Sequence, residues 1–347
     1  MKHSIGANPP QQAPQVKSIA IDEETAGQRL DNFLMRHLKG VPKTHVYRII
    51  RSGEVRINKG RASADTRLEA GDVVRLPPVR VSERVEEKAQ AMAKASTGFV
   101  PSKAFPVLFE DDCVLVIDKP AGVAVHGGSG VSFGVIEQLR MARPHAEFLE
   151  LVHRLDRETS GILLVAKKRS ALKKLQDQFR QRETGKTYLA LVIGHWPSNK
   201  KVLDRPLHKY LLAGNSPAGG EGERRVKVVT KDDPDGMPAL TLVKVREHIP
   251  PKPGDDGYSL LEVTIKTGRT HQIRVHLASE GMAIVGDDKY GDFAWNKAKA
   301  RAEEPNPLRR MFLHAWRLQF FHPVTGKRME IQVELPPELL QFADGLR

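Results

Sequence analysis

The sequence contains a single cysteine and no long apolar run. Cys113 has no second cysteine with which to form a disulfide, and the lack of further cysteines excludes a zinc site made of several of them. The longest apolar runs, VLVI at 114–117 and ILLVA at 162–166, are far shorter than a membrane-spanning helix requires. The first residues also lack the apolar core of a signal peptide. We therefore expect no membrane association and a cytoplasmic location.

Acidic residues are in deficit. The chain has 55 lysines and arginines against 42 aspartates and glutamates, which gives a net charge of +13 and a pI near 9.7. Residues 1–80 alone hold 14 basic against 8 acidic side chains. A surplus of this size indicates a polyanionic partner, whereas no basic helix with a broad apolar face points to a membrane surface. Charge alone is also compatible with a basic protein of no special purpose, so the motifs must decide.

Changes in composition divide the chain. Its 347 residues, 40% of them hydrophobic, predict a globular protein with room for two domains. Residues 1–17 are polar and rich in proline and glutamine, which predicts a disordered tail. A second polar stretch, residues 85–104, predicts a linker. The two predicted domains are therefore residues 18–84 and residues 105–347.

The first domain reads as two helices followed by strands. Apolar side chains recur at helical spacing in a segment that ends at Gly40 and again in one that ends at Gly53. Short strands follow in EVRINKG and GDVVRLP. This order, with basic side chains left on one face, resembles the S4 RNA-binding module and implies RNA binding; the alternative is a small domain with an ordinary solvated face. The candidate RNA contacts are Arg36, Lys43, Arg48 and Arg51.

The second domain is rich in short β-type runs, whose alternating character predicts a mixed, mostly antiparallel sheet and an α+β fold. Two helical segments, residues 170–183 and 270–281, interrupt the runs. Residues 211–224 are rich in glycine and predict a mobile loop. The runs are CVLVIDKP, GILLVAKK, TYLALVIGHW, RVKVVTK, ALTLVKVREH, SLLEVTIKTG, RLQFFHP and RMEIQVEL.

Several enzyme classes lack their motifs. The sequence has no P-loop, no GxGxxG after a strand and no GxSxG elbow. His271 and His276 are five residues apart, which is not the spacing of four that places two imidazoles on one metal. We expect neither a nucleotide cofactor nor a metal.

The segment HRLDRETSG, residues 153–161, is the strongest candidate site. It places Asp156 between Arg154 and Arg157, directly before the apolar run GILLVAKK. An aspartate in a charged turn is more often a cap or a surface pair than a functional group. An arginine beside a carboxylate nevertheless favours its ionised, nucleophilic form.

Two further segments supply matching chemistry. GRTHQIRVH contains Arg269, His271 and Arg274, and the last of these follows the histidine by one helical turn, which predicts that they share a face. GKTYLALV brings Tyr188 into an apolar strand. A carboxylate, several cations and an aromatic ring are thus available to one site.

These three segments, in this order, resemble the signature motifs of the RluA family of pseudouridine synthases. KPAGVAVHGGSGVSFGVIEQLR (119–140) and RMFLHAWRLQFFHPVTG (310–326) are similar to flanking segments of that family, and the resemblance covers roughly residues 18–345. It implies that uridine in RNA is isomerised to pseudouridine without a cofactor or metal. With the S4-like module in front, it implies 23S RNA of the large ribosomal subunit as the partner. We separately expect a monomer.

The resemblance also implies roles for individual residues. Asp156 is the nucleophile, acting at the sugar C1′ or through a glycal-type route, and Arg274 pairs with it. Tyr188 stacks on the base and helps to remove the C5 proton. Arg154 enters the helix stack where the flipped uridine has left, because chemistry on a paired base requires its extrusion. His153 is a structural hydrogen-bonding residue. Further substrate contacts are Arg157, Arg269 and His271.

Three alternatives remain open at this point. The protein could be a non-catalytic S4-type RNA-binding protein, which the presence of Asp156, Tyr188 and Arg274 argues against. It could be an RNA N-glycosidase, but glycoside hydrolysis uses two carboxylates, and Glu158 is expected to point away from Asp156. The same isomerisation could also act on another ribosomal site or on tRNA, since RNA specificity depends on loop shape and unpaired bases.

Overall fold

A computed structural model describes residues 16–23, 25–38, 41, 43–78, 105–127, 133–212, 223–252, 256–301 and 306–347. The chain divides into two compact units, Met1–Pro101 and Ser102–Arg347. Across the described ranges, no helix combines the length and the apolar character needed to cross a bilayer. The predicted linker, and the predicted tail up to residue 15, lie outside the described residues.

The first unit packs two helices and three strands around one apolar core. Its helices are α1 (Leu30–His37) and α2 (Lys43–Arg51), and its strands are β1 (Lys17–Ala20), β2 (Arg56–Ile57) and β3 (Val73–Leu76). The strands form an antiparallel sheet in the order β1-β3-β2. Six of the seven positions that helical periodicity predicts to be apolar are buried in this core: Leu30, Phe33, Leu34, Val46, Ile49 and Ile50. The seventh, Leu38, lies just beyond α1 and is only partly buried against the core. The predicted helix–helix–strand order is confirmed.

Three details of the first unit differ from the sequence expectation. Strand β1 begins at Lys17, the last residue of the predicted tail, and pairs with β3 from there. Helix α1 ends before Gly40, which lies outside the described residues. The run EVRINKG supplies only two strand residues, because Asn58 and Lys59 adopt left-handed conformations with φ of 49° and 68° and turn the chain.

The second unit is built on a large mixed sheet. Its strands are β4 (Val107–Glu110), β5 (Val114–Lys119), β6 (Glu150–Leu151), β7 (Ser160–Ala166), β8 (Gly185–Ile193), β9 (Val202–Asp204), β10 (Leu207–Leu212), β11 (Glu223–Val228), β12 (Leu240–Ile249), β13 (Tyr258–Ile265), β14 (Leu313–Phe321) and β15 (Arg328–Gln332). Ten of them form one sheet along the path β4-β5-β7-β14-β8-β13-β12-β9, with β6 on β7 and β15 on β14. Among the strands that the structure describes, only β7 and β14 pair in parallel. The predicted α+β class and mostly antiparallel sheet are confirmed.

Helices cover both faces of this sheet region. They are α3 (Val135–Ala142), α4 (Arg169–Gln181), α5 (Gln272–Ser279), α6 (Phe293–Lys299) and α7 (Pro337–Leu346). Strand β7 is buried at every position because its alternate side chains enter two different apolar clusters. Leu163 and Val165 join the larger cluster, whereas Ile162 and Leu164 join a second one that α4 closes. Burial on both faces explains why GILLVAKK is a continuous apolar run.

Strand β14 joins the two halves of the sheet. It pairs in parallel with β7, where His314 lies opposite Ser160, and antiparallel with β8. At Gly161, with φ of 106°, a Cβ would lie 2.3 Å from the carbonyl oxygen of Ala315, so only glycine fits. The Ser160 hydroxyl lies 2.9 Å from Nδ1 of the buried His314, whose Nε2 lies 3.3 Å from the carbonyl oxygen of Val333. This junction places the loop before β7 next to β8.

The prediction of a mobile loop over residues 211–224 is wrong at both ends of that range. Leu211 and Leu212 continue β10, and they pair with Arg224 and Glu223 of β11 in a two-stranded antiparallel ribbon. Strand pairing thus extends further than the glycine content suggested. Residues 213–222 lie outside the described residues.

Candidate active site

Asp156 lies in the loop that leads from β6 into β7, with 29% of its side chain exposed. Lys119, at the end of β5, fixes the adjoining backbone. Its fully buried Nζ donates to the carbonyl oxygens of Pro120, Val123 and Arg157 at 2.7, 2.9 and 3.1 Å. The residue after Asp156 is therefore anchored to the sheet, which restricts the position of the carboxylate.

Arg274 faces Asp156 but is held chiefly by a second aspartate. Its Nη1 lies 3.6 Å from Asp156 Oδ2, whereas its Nε and Nη2 donate to the two carboxylate oxygens of Asp287 at 2.7 Å each. Nη2 also donates to Asp288 at 3.0 Å. The side chains of Arg274 and Asp287 are 4% and 0% exposed. The predicted approach of Arg274 to Asp156 is present, but the guanidinium is shared among three carboxylates.

Asp287 is itself tightly held. Its Oδ1 accepts hydrogen bonds from the backbone N–H groups of Lys289 and Tyr290 at 2.8 and 3.0 Å. Burial acts to raise the pKa of Asp287, but the hydrogen bonds and charge of Arg274, together with these two amides, outweigh it and lower the pKa. An ionised, buried carboxylate thus orients the guanidinium that faces Asp156.

His271 approaches Asp156 by a route that the sequence did not predict. It precedes α5 and adopts a left-handed conformation, with φ of 52°, so it does not share a helix face with Arg274. Its Nε2 nevertheless lies 4.0 Å from Asp156 Oδ2, and its Nδ1 lies 2.8 Å from the hydroxyl of Tyr290. Burial lowers the pKa of His271, partly opposed by the charge of Asp156. The neutral imidazole is therefore favoured.

Tyr188 lies on β8, as predicted, and lines the same cavity as Asp156. Its side chain is nearly buried, and burial, followed by the negative charge of Asp156, raises the pKa of Tyr188. The phenol therefore keeps its proton. This favours the expected stacking role of the ring and disfavours the phenolate that removal of the C5 proton would need.

Two adjoining cavities collect the predicted residues of the second domain. The smaller, about 90 Å³, is lined by Arg154, Asp156, Tyr188, Arg269, His271 and Arg274. The larger, about 440 Å³, shares Arg154, Asp156, His271 and Arg274 and adds Arg157, Asp288 and Lys289. Its size falls in the usual range for sites that enclose a small organic group. The structure therefore gathers around Asp156 every site residue predicted for this domain.

Two neighbouring residues were expected to be structural, and their outcomes differ. Glu158 lies 3.2 Å from Arg157 and lines the larger cavity together with Asp156, so the expectation that it points away from Asp156 is not confirmed. It also lines a separate cavity of about 810 Å³ that contains neither Asp156 nor Tyr188. His153 accepts a hydrogen bond at Nε2 from the backbone N–H of Leu164 at 3.1 Å. Burial lowers the pKa of His153 to about 4, so the ring stays neutral and structural.

The predicted RNA contacts of the first unit lie on its two helices. Arg36 is in the last turn of α1, Lys43 begins α2, and Arg48 and Arg51 are exposed along α2. The guanidinium of Arg48 lies 3.3 Å from Glu54 and 3.2 Å from His45. Arg36, Arg48 and Arg51 are exposed to solvent, as the sequence predicted, and the contact of the four residues with RNA stays a prediction.

Sequence reasoning missed the segment GDDKYG, residues 286–291, which supplies Asp287, Asp288, Lys289 and Tyr290. Its signal was an acidic pair between two glycines, and the first glycine is required structurally. At Gly286, with φ of 75°, a Cβ would lie 2.2 Å from the carbonyl oxygen of Arg310. A constrained glycine beside charged residues marks a fixed loop rather than an ordinary surface turn.

Comparison with known proteins gives two family matches and several close relatives. Residues 113–279 match the RNA pseudouridylate synthase family, and residues 28–74 match the S4 domain. The chain is 48% identical to ribosomal large subunit pseudouridine synthase C of Pasteurella multocida (strain Pm70), over 96% of this chain and 94% of the relative. It is also 48% identical to the protein of the same name from Escherichia coli (strain K12), over 97% and 98%. Among solved structures, human RNA pseudouridylate synthase domain containing 4 superposes with a TM-score of 0.53 at 26% identity, covering 75% of this chain and 97% of that one.

Proposed function

The chain belongs to the RNA pseudouridylate synthase family, and from that premise we propose that it isomerises uridines of large-subunit ribosomal RNA with Asp156 as the nucleophile. The observation that supports this role is the position of the Asp156 carboxylate. It is partly exposed at the junction of two cavities, with the guanidinium of Arg274 3.6 Å from Oδ2. The buried guanidinium of Arg274 gives the carboxylate a fixed cationic partner, and a carboxylate oxygen is a group that can form a covalent intermediate.

The reaction conserves all atoms of the substrate. The N1–C1′ bond of uridine breaks, the uracil turns, C5 bonds to C1′, the proton leaves C5, and N1 gains one. One Asp156 oxygen attacks C1′, or it removes the C2′ proton to give a glycal; both routes need the carboxylate at the same place. The bond between base and ribose is broken and a new one is formed within one site. The enclosing cavities must therefore hold free uracil while it turns.

We assign the other residues around Asp156 by their geometry. The ring of Tyr188 borders the smaller cavity and offers a face on which uracil can stack. Arg154 borders both cavities and is exposed, which fits a side chain that fills the place of an extruded base. Arg269 lines the smaller cavity, Arg157 and Lys289 line the larger one, and all three supply positive charge for the flanking phosphates.

We assign RNA of the large ribosomal subunit as the substrate because the relatives at 48% identity are named for that subunit. The S4 domain supports it, since its exposed arginines on α2 suit the phosphates of a structured RNA. We further propose that the enzyme works in the cytoplasm, where bacterial ribosomal RNA is made, and as a monomer.

The test is Asp156→Asn, which keeps the shape of the side chain and removes its charge. We expect no pseudouridine in a single-turnover assay on unmodified large-subunit RNA, with binding of that RNA within about threefold of the parent protein. Asp204→Asn is the matched control, because its carboxylate is 57% exposed, pairs with Lys231 and lines neither cavity. Turnover by purified Asp156→Asn, free of host enzyme, would contradict the role of Asp156. Product on tRNA but not on ribosomal RNA would contradict the substrate alone.

A further inference from the structure

The hydroxyl of Tyr290 joins the ribbon of β10 and β11 to His271. It accepts a hydrogen bond from the backbone N–H of Val226, on β11, at 3.1 Å, and it lies 2.8 Å from His271 Nδ1. The Val226 amide can only donate, so it occupies a lone pair of the hydroxyl oxygen. The phenolic proton is then free to be donated to Nδ1.

This arrangement selects one tautomer of His271. If Nδ1 carried the proton and donated it to Tyr290, the phenolic proton would have no acceptor among the described residues. With the phenol as donor, Nδ1 accepts and the ring proton lies on Nε2. Each donor and acceptor in this series of hydrogen bonds, from the Val226 amide through the Tyr290 hydroxyl to the imidazole, then has a hydrogen-bond partner.

The proton on Nε2 faces the nucleophile. Nε2 lies 4.0 Å from Asp156 Oδ2, the same oxygen that Arg274 Nη1 approaches at 3.6 Å. No residue in the described part of the chain makes a polar contact with Oδ1. Both nitrogens therefore approach the same oxygen of the carboxylate, at ion-pair rather than hydrogen-bond distance, and leave the other oxygen open to the substrate.

We propose that Tyr290 is a positioning residue that fixes His271 as the Nε2–H tautomer, and that this donor and Arg274 together direct Asp156 Oδ1 at the ribose. The proposal rests on the assignment of Asp156 as the nucleophile. A neutral donor orients the carboxylate without forming a second full ion pair, which would reduce its reactivity. His271 is neutral in this setting because burial lowers its pKa. The charged groups that face it are Asp156, Arg274, Asp287 and Lys289.

Removing the Tyr290 hydroxyl should make His271 easier to protonate. In the parent protein, a proton on Nδ1 would have to displace the phenolic proton from its acceptor. In Tyr290→Phe that competition is absent, so the histidine pKa rises and a cationic imidazole pairs with Asp156 at higher pH. We expect the acid limb of the single-turnover pH–rate profile to move upwards by about half to one pH unit, which is about a three- to tenfold loss of rate on that limb.

Glutamine at position 271 separates the positioning role from simple packing. Its side-chain amide can donate from about the place of Nε2, and it does not titrate in this range. We expect His271→Gln to keep the rate within about tenfold, and to be insensitive to Tyr290→Phe on the acid limb. His271→Leu, which has no donor, should lose substantially more. Tyr47→Phe is the matched control, because its hydroxyl bonds Asp31 in the first unit.

A readout that needs no turnover distinguishes this proposal from the assignment of Asp156. The ¹⁵N shifts of the His271 ring, assigned by their loss in His271→Gln, report which nitrogen carries the proton in the full-length protein. We expect the proton on Nε2 at pH 8. A proton on Nδ1 would overturn the proposal even if Asp156→Asn is inactive. An equal loss of rate at every pH in Tyr290→Phe would also overturn it, because that pattern marks a packing role.

Discussion

Replacing Asp287 with asparagine should destabilise the second unit by about 3 kcal/mol, because it breaks a buried ion pair from one side. The carboxylate is 0% exposed and binds Arg274 through both oxygens at 2.7 Å. An asparagine can keep its oxygen at the Oδ1 position, where the two backbone amides and Nη2 donate. Its NH₂ group then faces the Nε–H of Arg274, donor against donor.

The magnitude follows from what is lost and what remains. Removing one partner of a buried pair costs about 3–5 kcal/mol, and a hydrogen bond to a charged group contributes about 1.5–3 kcal/mol. The lower end applies because Asp156 and Asp288 stay near the guanidinium. Asp288→Asn should cost at most about 1 kcal/mol, since that carboxylate is 66% exposed and solvent screens its contact.

Urea unfolding followed by tryptophan fluorescence measures this difference cleanly. All three tryptophans, Trp196, Trp295 and Trp316, lie in the second unit, so the signal does not report the first. The quantity to compare is the free energy of unfolding of Asp287→Asn against that of Asp288→Asn. If the two variants agreed within about 1 kcal/mol, Arg274 would not depend on Asp287, and the account of its anchoring would be wrong.

We also expect His314 to make stability depend on pH and Arg51 to make RNA affinity depend on salt. Burial lowers the pKa of His314 to about 4 from 6.5, so the unfolded chain binds the extra proton and stability is lost as the pH falls through that interval, by about 2.5 kcal/mol at pH 4.5. His314→Gln should flatten this part of the stability profile measured by urea unfolding, and an unchanged slope would exclude the contribution. Arg51→Ala should reduce the dependence of log affinity for ribosomal RNA on log salt by about 0.7–0.9, the effect of one phosphate contact. Arg143→Ala, whose guanidinium is bound to Glu110, should leave that slope unchanged, and equal slopes for both variants would remove Arg51 from the RNA interface.

The spacing of apolar residues predicted the helices and strands well, because burial in a core imposes that spacing within each element. Helices α1 and α2 follow from apolar spacing, and β7 follows from an apolar run that two cores require. The parallel pairing of β7 with β14 could not be read from either strand, because His314 and Ser160 meet only in the folded chain. The left-handed conformation of His271 was equally hidden, since a histidine before a helix usually continues it.

The candidate site was predicted in part for a related reason. Asp156 and Arg274 were found through motifs that fix their residue types. Asp287 is 13 residues beyond Arg274, on no common helix or strand, so spacing gave no reason to join them. The protonation state of the Tyr188 phenol depends on its burial and on the charge of Asp156. Neither can be read from the apolar run in which Tyr188 lies.

The late position of β14 in the chain affects the order in which the protein can be built. A ribosome delivers β7 and β8 long before it delivers β14, the strand that holds them side by side. The first unit closes its sheet with strands that end at Leu76, so its RNA-binding fold can form early in synthesis. Asp156 and Tyr188, by contrast, take their final separation only after β14 has been translated and paired. A nascent chain can therefore display a folded S4 domain while the cavities around Asp156 are still unassembled.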